Sequence, residues 1–69
     1  MTPVERLVEH FGGQAKTARA LGVSQPAVHH WLSGTNALSA GKAFLAEQMT
    51  DGKIQAWELC PHIPKKTAA

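Results

Sequence analysis

Cysteine is almost missing from this chain of 69 residues: Cys60 stands alone, so no internal disulfide can form and a reducing compartment is expected. Also missing is any apolar run near the ~18 residues that a membrane span needs. The N-terminus lacks the basic-then-apolar layout of a secretion signal, so the expected location is the cytoplasm. Acidic residues number five and histidines four, scattered so that no nucleophile–base pair, paired carboxylates, metal cluster or phosphate loop can be assembled from them. The chain is therefore expected not to be an enzyme, and to use no cofactor, no metal and no small-molecule ligand.

What is present is enough for one small domain. An apolar content of 43% supports a single modest core at this length. The net charge is only +2, with a pI of about 9.0, which is mild support for a nucleic-acid partner. Arg6, Lys16 and Arg19 lie in or near the most informative stretch, and Lys65 and Lys66 lie in the tail.

That stretch is Gln14–Ser33, which reads as two short helices joined by a fixed turn. Ala18 stands where two helices must approach closely. Gly22 supplies the left-handed backbone that other residues reach only at a cost. Val23 plugs the turn, and Ser24 can cap the next helix by accepting a free backbone N–H. Leu21, Val28 and Trp31 form an apolar underside. This is the helix-turn-helix pattern, whose second helix is shaped to enter the DNA major groove.

Around it, Thr2, Pro3 and Glu5 form a helix start with a capping box. Val4, Leu7, Val8 and Phe11 follow at i, i+3, i+4 and i+7, and Gly12-Gly13 ends the helix. The second helix is expected at about Gln14–Leu21 and the third at about Gln25–Leu32, with Pro26 tolerated in its first turn. Burying Val28 and Trp31 turns Gln25, Pro26, His29 and His30 outward together with Ser33. Gln25 offers an amide donor and acceptor matched to adenine, the Ser24 hydroxyl is small enough for close approach, and Pro26 could touch a thymine methyl.

The N-terminus of the second helix attracts phosphate, with Gln14 beside its free N–H groups. Lys16 and Arg19 can flank a DNA strand, and Ser33 and Thr35 are further phosphate candidates; solvated charge is the plain alternative for each cation. His29 and His30 are adjacent and lack the i, i+4 relation for sharing a metal, so a base edge or phosphate is the better match.

After the break at Gly34-Thr35-Asn36, Ser39 caps an expected fourth helix at about Ala40–Met49. Phe44, Leu45, Gln48 and Met49 lie on one side of it and are expected to close over the two-helix unit. Asp51-Gly52 is a hairpin signal, so two strands within about 43–59 are the alternative. The composition of 43–49 favours helix, followed by a turn and a last helix at about Gln55–Cys60, stopped before Pro61. The expected fold is all-α, with five short helices in one domain over 1–61 and a loose tail over 62–69. The alternative is α+β with a C-terminal hairpin.

Phe11-Gly12, Lys16-Thr17-Ala18, Leu21-Gly22-Val23, Gln25 and the terminal Lys65-Lys66-Thr67-Ala68-Ala69 resemble the Cro repressors of lambda-like bacteriophages over nearly the whole chain. Leu38–Ile63, with Gly52-Lys53-Ile54 and Glu58-Leu59 before Pro61, is similar to the helical end of YdaS-type antitoxin-like regulators. The resemblance implies a lambda-repressor-like architecture and a transcriptional repressor that binds pseudo-palindromic operator DNA as a homodimer, weak in solution or formed on DNA. It places Ser24, Gln25, Pro26, His29 and His30 at base- or groove-facing positions and Gln14 at a phosphate. Histidines at 29 and 30 stand where relatives often carry amide or basic residues, so the operator sequence is not inherited. Pro26 replaces a small hydroxyl residue found in some relatives. Trp57, Leu59 and Ile63 are candidate dimer contacts, with core packing as their plainer role. The competing function is an antitoxin-like or protein-interaction module on the same fold.

Overall fold

The computed structural model describes residues 1–65 of the chain, and Lys66–Ala69 lie outside the described residues. The described part holds five helices and no strand: α1 Pro3–Phe11, α2 Gln14–Leu21, α3 Gln25–Ser33, α4 Ala40–Met49 and α5 Ala56–Leu59. The hairpin alternative over 43–59 is thereby excluded. The third helix runs one residue past its expected end, and the last is shorter than Gln55–Cys60.

The start of α1 follows its sequence. The Thr2 hydroxyl accepts the Glu5 N–H at 3.1 Å, and the Glu5 carboxylate accepts the Thr2 N–H at 2.8 Å. This places Leu7 wholly in the core, with Val4, Val8 and Phe11 packed at its margin. Thr17 is fully buried in α2, where its hydroxyl donates to the Gly13 carbonyl at 2.8 Å and so leaves no unmet polar group. Gly22 adopts φ +69°, and the Val23 N–H behind it donates to the Ala18 carbonyl at 2.9 Å. Ser24 then starts α3 by accepting the Ala27 N–H at 3.3 Å. Val28 and Trp31 point inward, as their spacing requires.

α4 packs differently from its apolar reading. Ala43 and Ala46 are the buried residues, while Phe44 is 50% and Met49 42% exposed. The inward face is 43, 46 and 50, at i, i+3 and i+7, one step away from the Phe44–Gln48 side. The bulk of the core is supplied by Leu7, Leu21, Val28, Trp31, Leu38, Ile54 and Leu59, and α4 meets it through alanines. Small side chains let the helix axis come close, where a Phe would force it away.

The Asp51-Gly52 pair does have the left-handed conformations that a hairpin turn would use, at φ +54° and +77°. Here they end a helix: the Gly52 N–H donates to the Glu47 carbonyl at 2.9 Å. Thr50 anchors the joint from inside. Its buried hydroxyl donates to the Ala46 carbonyl at 2.9 Å and accepts the Ile54 N–H at 3.3 Å. The Glu47 carboxylate reaches across to accept the Ala56 N–H at 2.8 Å, at the head of α5.

The two ends of the chain are tied by Arg6, whose guanidinium pairs with Glu58 at 2.9 Å and donates to the Lys53 carbonyl at 3.0 Å. Arg6 is thus a brace between α1 and α5 and does not join the cations of the helix-turn-helix. Hydrogen bonding from the Gln55 backbone, then the Arg6 guanidinium, holds the Glu58 carboxyl below its usual range against the opposing effect of burial. Ile63 packs against the core, so ordered packing continues past residue 61, and Lys65 lies 5.2 Å above the Trp57 ring.

Candidate nucleic-acid interface

α2 and α3 meet through Ala18, Leu21, Val28 and Trp31, each at most 8% exposed. Fixing those four decides what the outer surface carries. Ser24, Gln25, Pro26, His29 and His30 are all exposed along the free face of α3. Gln25, Pro26 and His29 line one open groove together with Gln14 from the start of α2. One of the five phosphate candidates and three of the five base-contact candidates therefore share one surface.

The other candidates are placed less directly. Lys16 and Arg19 are exposed on α2 but are not among the groove's lining residues. The Lys16 side chain lies back along the end of α1, with its Nζ 3.7 Å from where a β-carbon on Gly12 would stand. The Ser33 hydroxyl donates to the His30 carbonyl at 3.1 Å and lies 2.9 Å from the Thr35 hydroxyl. Those two hydroxyls form a small exposed pair at the end of α3. The His29 and His30 rings stand 6.2 Å apart and tilted at 53°, spread over the surface. No group of three potential metal ligands exists among the described residues.

Among the dimer candidates, Leu59 is 3% exposed and belongs to the core, which leaves it no surface for a partner. Trp57 and Ile63 are half-buried and line a separate groove of about 260 Å³ with Phe44, Glu47, Ala56 and Pro64. Phe44 is the addition that the sequence reading missed. Its exposure follows from the alanine face of α4, which was not legible from apolarity alone.

Charge is segregated more sharply than the net +2 suggests. All five acidic residues, Glu5, Glu9, Glu47, Asp51 and Glu58, fall outside positions 10–46. The first turns of α2 and α3 carry no acid, whereas those of α1 and α5 hold Glu5 and Glu58. The positive ends of the two helices of the unit therefore have no carboxylate from their own first turns. This signal was available in the sequence, as an acid-free run of 37 residues spanning 10–46. At α1, backbone and side-chain hydrogen bonds from Thr2 lower the Glu5 carboxyl's affinity for a proton.

Comparison with known proteins agrees with this architecture. The family model described as "Bacterial toxin YdaS" matches residues 4–67. The regulatory protein cro of Pseudomonas phage D3 is 43% identical over 63 residues, covering 91% of this chain and 86% of the phage protein. The YdaS protein of Escherichia coli K12, whose name proposes a transcriptional regulator, is 42% identical over 52 residues. That match covers 75% of this chain and 53% of the YdaS protein. No solved structure gives a significant match to the chain. With an acid-free helix-turn-helix at its centre and a family match over residues 4–67, the chain belongs to the YdaS family and is a relative of the phage Cro regulatory proteins.

Proposed function

We propose that this chain is a transcriptional repressor of Cro type that binds duplex DNA sequence-specifically, with α3 in the major groove. The observation that carries the reading is the joint groove of Gln14, Gln25, Pro26 and His29 on a unit without acidic residues. In this reading, Gln25 and His29 meet base edges, with Ser24, Pro26 and His30 around them, while Gln14, Lys16, Arg19, Ser33 and Thr35 hold phosphates. Phosphate contacts supply affinity and register, and the α3 face supplies discrimination. Repression follows from occlusion of a promoter by the bound protein, in the cytoplasm of a bacterial host. No helix among the described residues is long and apolar enough to cross a membrane.

The operator would be pseudo-palindromic and the active species a homodimer, weak in solution or formed on DNA. Two recognition helices must sit about one DNA turn apart, roughly 34 Å, to engage one face of the duplex. The groove around Phe44, Trp57 and Ile63 is the surface we assign to the second copy, since Leu59 is inside the core. Residues 1–61 would form the DNA-binding domain, and Ile63, just beyond it, packs against its core.

The family description as a toxin favours a second reading, in which the fold serves as a protein-interaction module through that same apolar groove. A gel shift with upstream duplex DNA at two salt concentrations separates the two. The repressor reading predicts binding that weakens steeply with salt. No binding, or binding indifferent to salt, would favour the interaction module.

A further inference from the structure

Lys42 has no place in the helix-turn-helix by sequence, being on α4, yet its ammonium group ends at the turn between α2 and α3. The Nζ donates to the Leu21 carbonyl at 2.8 Å and lies 3.7 Å from where a β-carbon on Gly22 would stand. Leu21 is the last residue of α2, so its carbonyl has no partner within the helix and sits at the negative end of the helix dipole. A cation there satisfies the acceptor and the dipole together. The side chain is half-buried, and its own backbone is fixed because the Lys42 N–H is capped by the Ser39 hydroxyl at 3.3 Å.

The turn that Lys42 touches decides how α3 is presented. Leu21, Gly22 and Val23 set the angle between α2 and α3, with the Val23 N–H held by the Ala18 carbonyl at 2.9 Å. Gln14 at the start of α2 and Gln25, Pro26 and His29 on α3 share their groove only if that angle is kept. We propose that Lys42 is a positioning residue for DNA binding: it clamps the turn from the protein side and touches no phosphate. The inference rests on the DNA-binding reading given above. It makes α4 part of the recognition apparatus although α4 supplies none of the groove's lining residues.

The experiment compares the full chain with Lys42→Met, which keeps the alkyl stem and loses the donor, and Lys42→Arg, which keeps a cation. Amide hydrogen exchange at Val23 is measured in the free proteins. Affinity for a duplex obtained by binding-site selection is measured across a series of salt concentrations. For Lys42→Met, Val23 exchange should quicken and affinity should fall about threefold to tenfold, the scale of losing a cation from a helix C-terminus. The slope of log affinity against log salt should stay as in the wild type, and Lys42→Arg should restore both readouts. A slope shallower by about 0.9 would show that Lys42 neutralises a phosphate, which overturns the proposal. Unchanged exchange and unchanged affinity would overturn it too. If the wild-type chain selects no duplex, the DNA reading itself fails, and Val23 exchange alone then decides whether Lys42 holds the turn.

Discussion

Replacing Thr50 by valine keeps the outline of the side chain and removes one hydroxyl. That hydroxyl accepts the Ile54 N–H at 3.3 Å and donates to the Ala46 carbonyl at 2.9 Å, in a site only 1% exposed. The two losses are unequal. The Ala46 carbonyl still accepts the Thr50 N–H at 3.0 Å, so it keeps a partner. The Ile54 N–H is left buried without one, a penalty of about 1–3 kcal/mol. For a domain of this size each kcal/mol moves the melting temperature by roughly 4–8 °C, so a fall of about 10 °C is expected. Urea unfolding should show a lower midpoint with an unchanged m-value, since the folded surface is the same. Thr50→Ser provides the contrast: it keeps the bonds and loses one buried methyl, worth about 0.8 kcal/mol. Valine should therefore cost more than serine. The reverse order would refute the role given to the hydroxyl and would assign the joint between α4 and α5 to packing alone.

Gln25→Ala should relax preference at one base pair per half-site by about 1–3 kcal/mol, whereas Lys16→Ala should weaken all sequences alike and reduce the salt slope by about 0.9. Equal losses for Gln25→Ala on selected and random duplexes would remove Gln25 from base reading. Phe44→Glu should abolish self-association in sedimentation while changing stability by less than about 0.5 kcal/mol, because Phe44 is half exposed and outside the core. Retained self-association would exclude the Phe44 groove as the dimer surface. Acid should destabilise the fold through Glu58, whose carboxyl is held low by the Gln55 backbone and Arg6. A folded-state value below the unfolded one gives stability that is complete above the unfolded carboxylate range, about pH 4.3, and is lost as pH falls through the folded value. Melting curves across this range should show a shallower acid loss for Glu58→Gln than for the wild type, and identical curves would contradict the link.

Local signals made the first half of the fold legible. The Thr2–Glu5 capping box, the left-handed Gly12 and Gly22, and the Ser24 cap each act within four residues and need no tertiary partner. The exposed face of α3 followed from burying Val28 and Trp31. Beyond residue 38 the deciding contacts are distant. Arg6 and Glu58 are 52 positions apart, and Lys42 and Leu21 are 21 apart, so neither pair can be found by local spacing. On α4, hydrophobicity ranked Phe44 and Met49 above Ala43 and Ala46, but the close approach of the helix selects for small size. Asp51-Gly52 was legible as a left-handed turn and ambiguous in what it joined, because both a hairpin and a helix end use that backbone. The candidate surface was legible in residue types, and the acid-free span of 10–46 was the part of it hidden behind a small net charge.

Binding-site selection from a random duplex pool with the purified full chain tests the central claim most directly. A DNA-reading α3 in a paired protein predicts enrichment of a pseudo-palindromic site with half-site centres about one helical turn apart, roughly 10 base pairs. Selected sequences no different from the starting pool would contradict it.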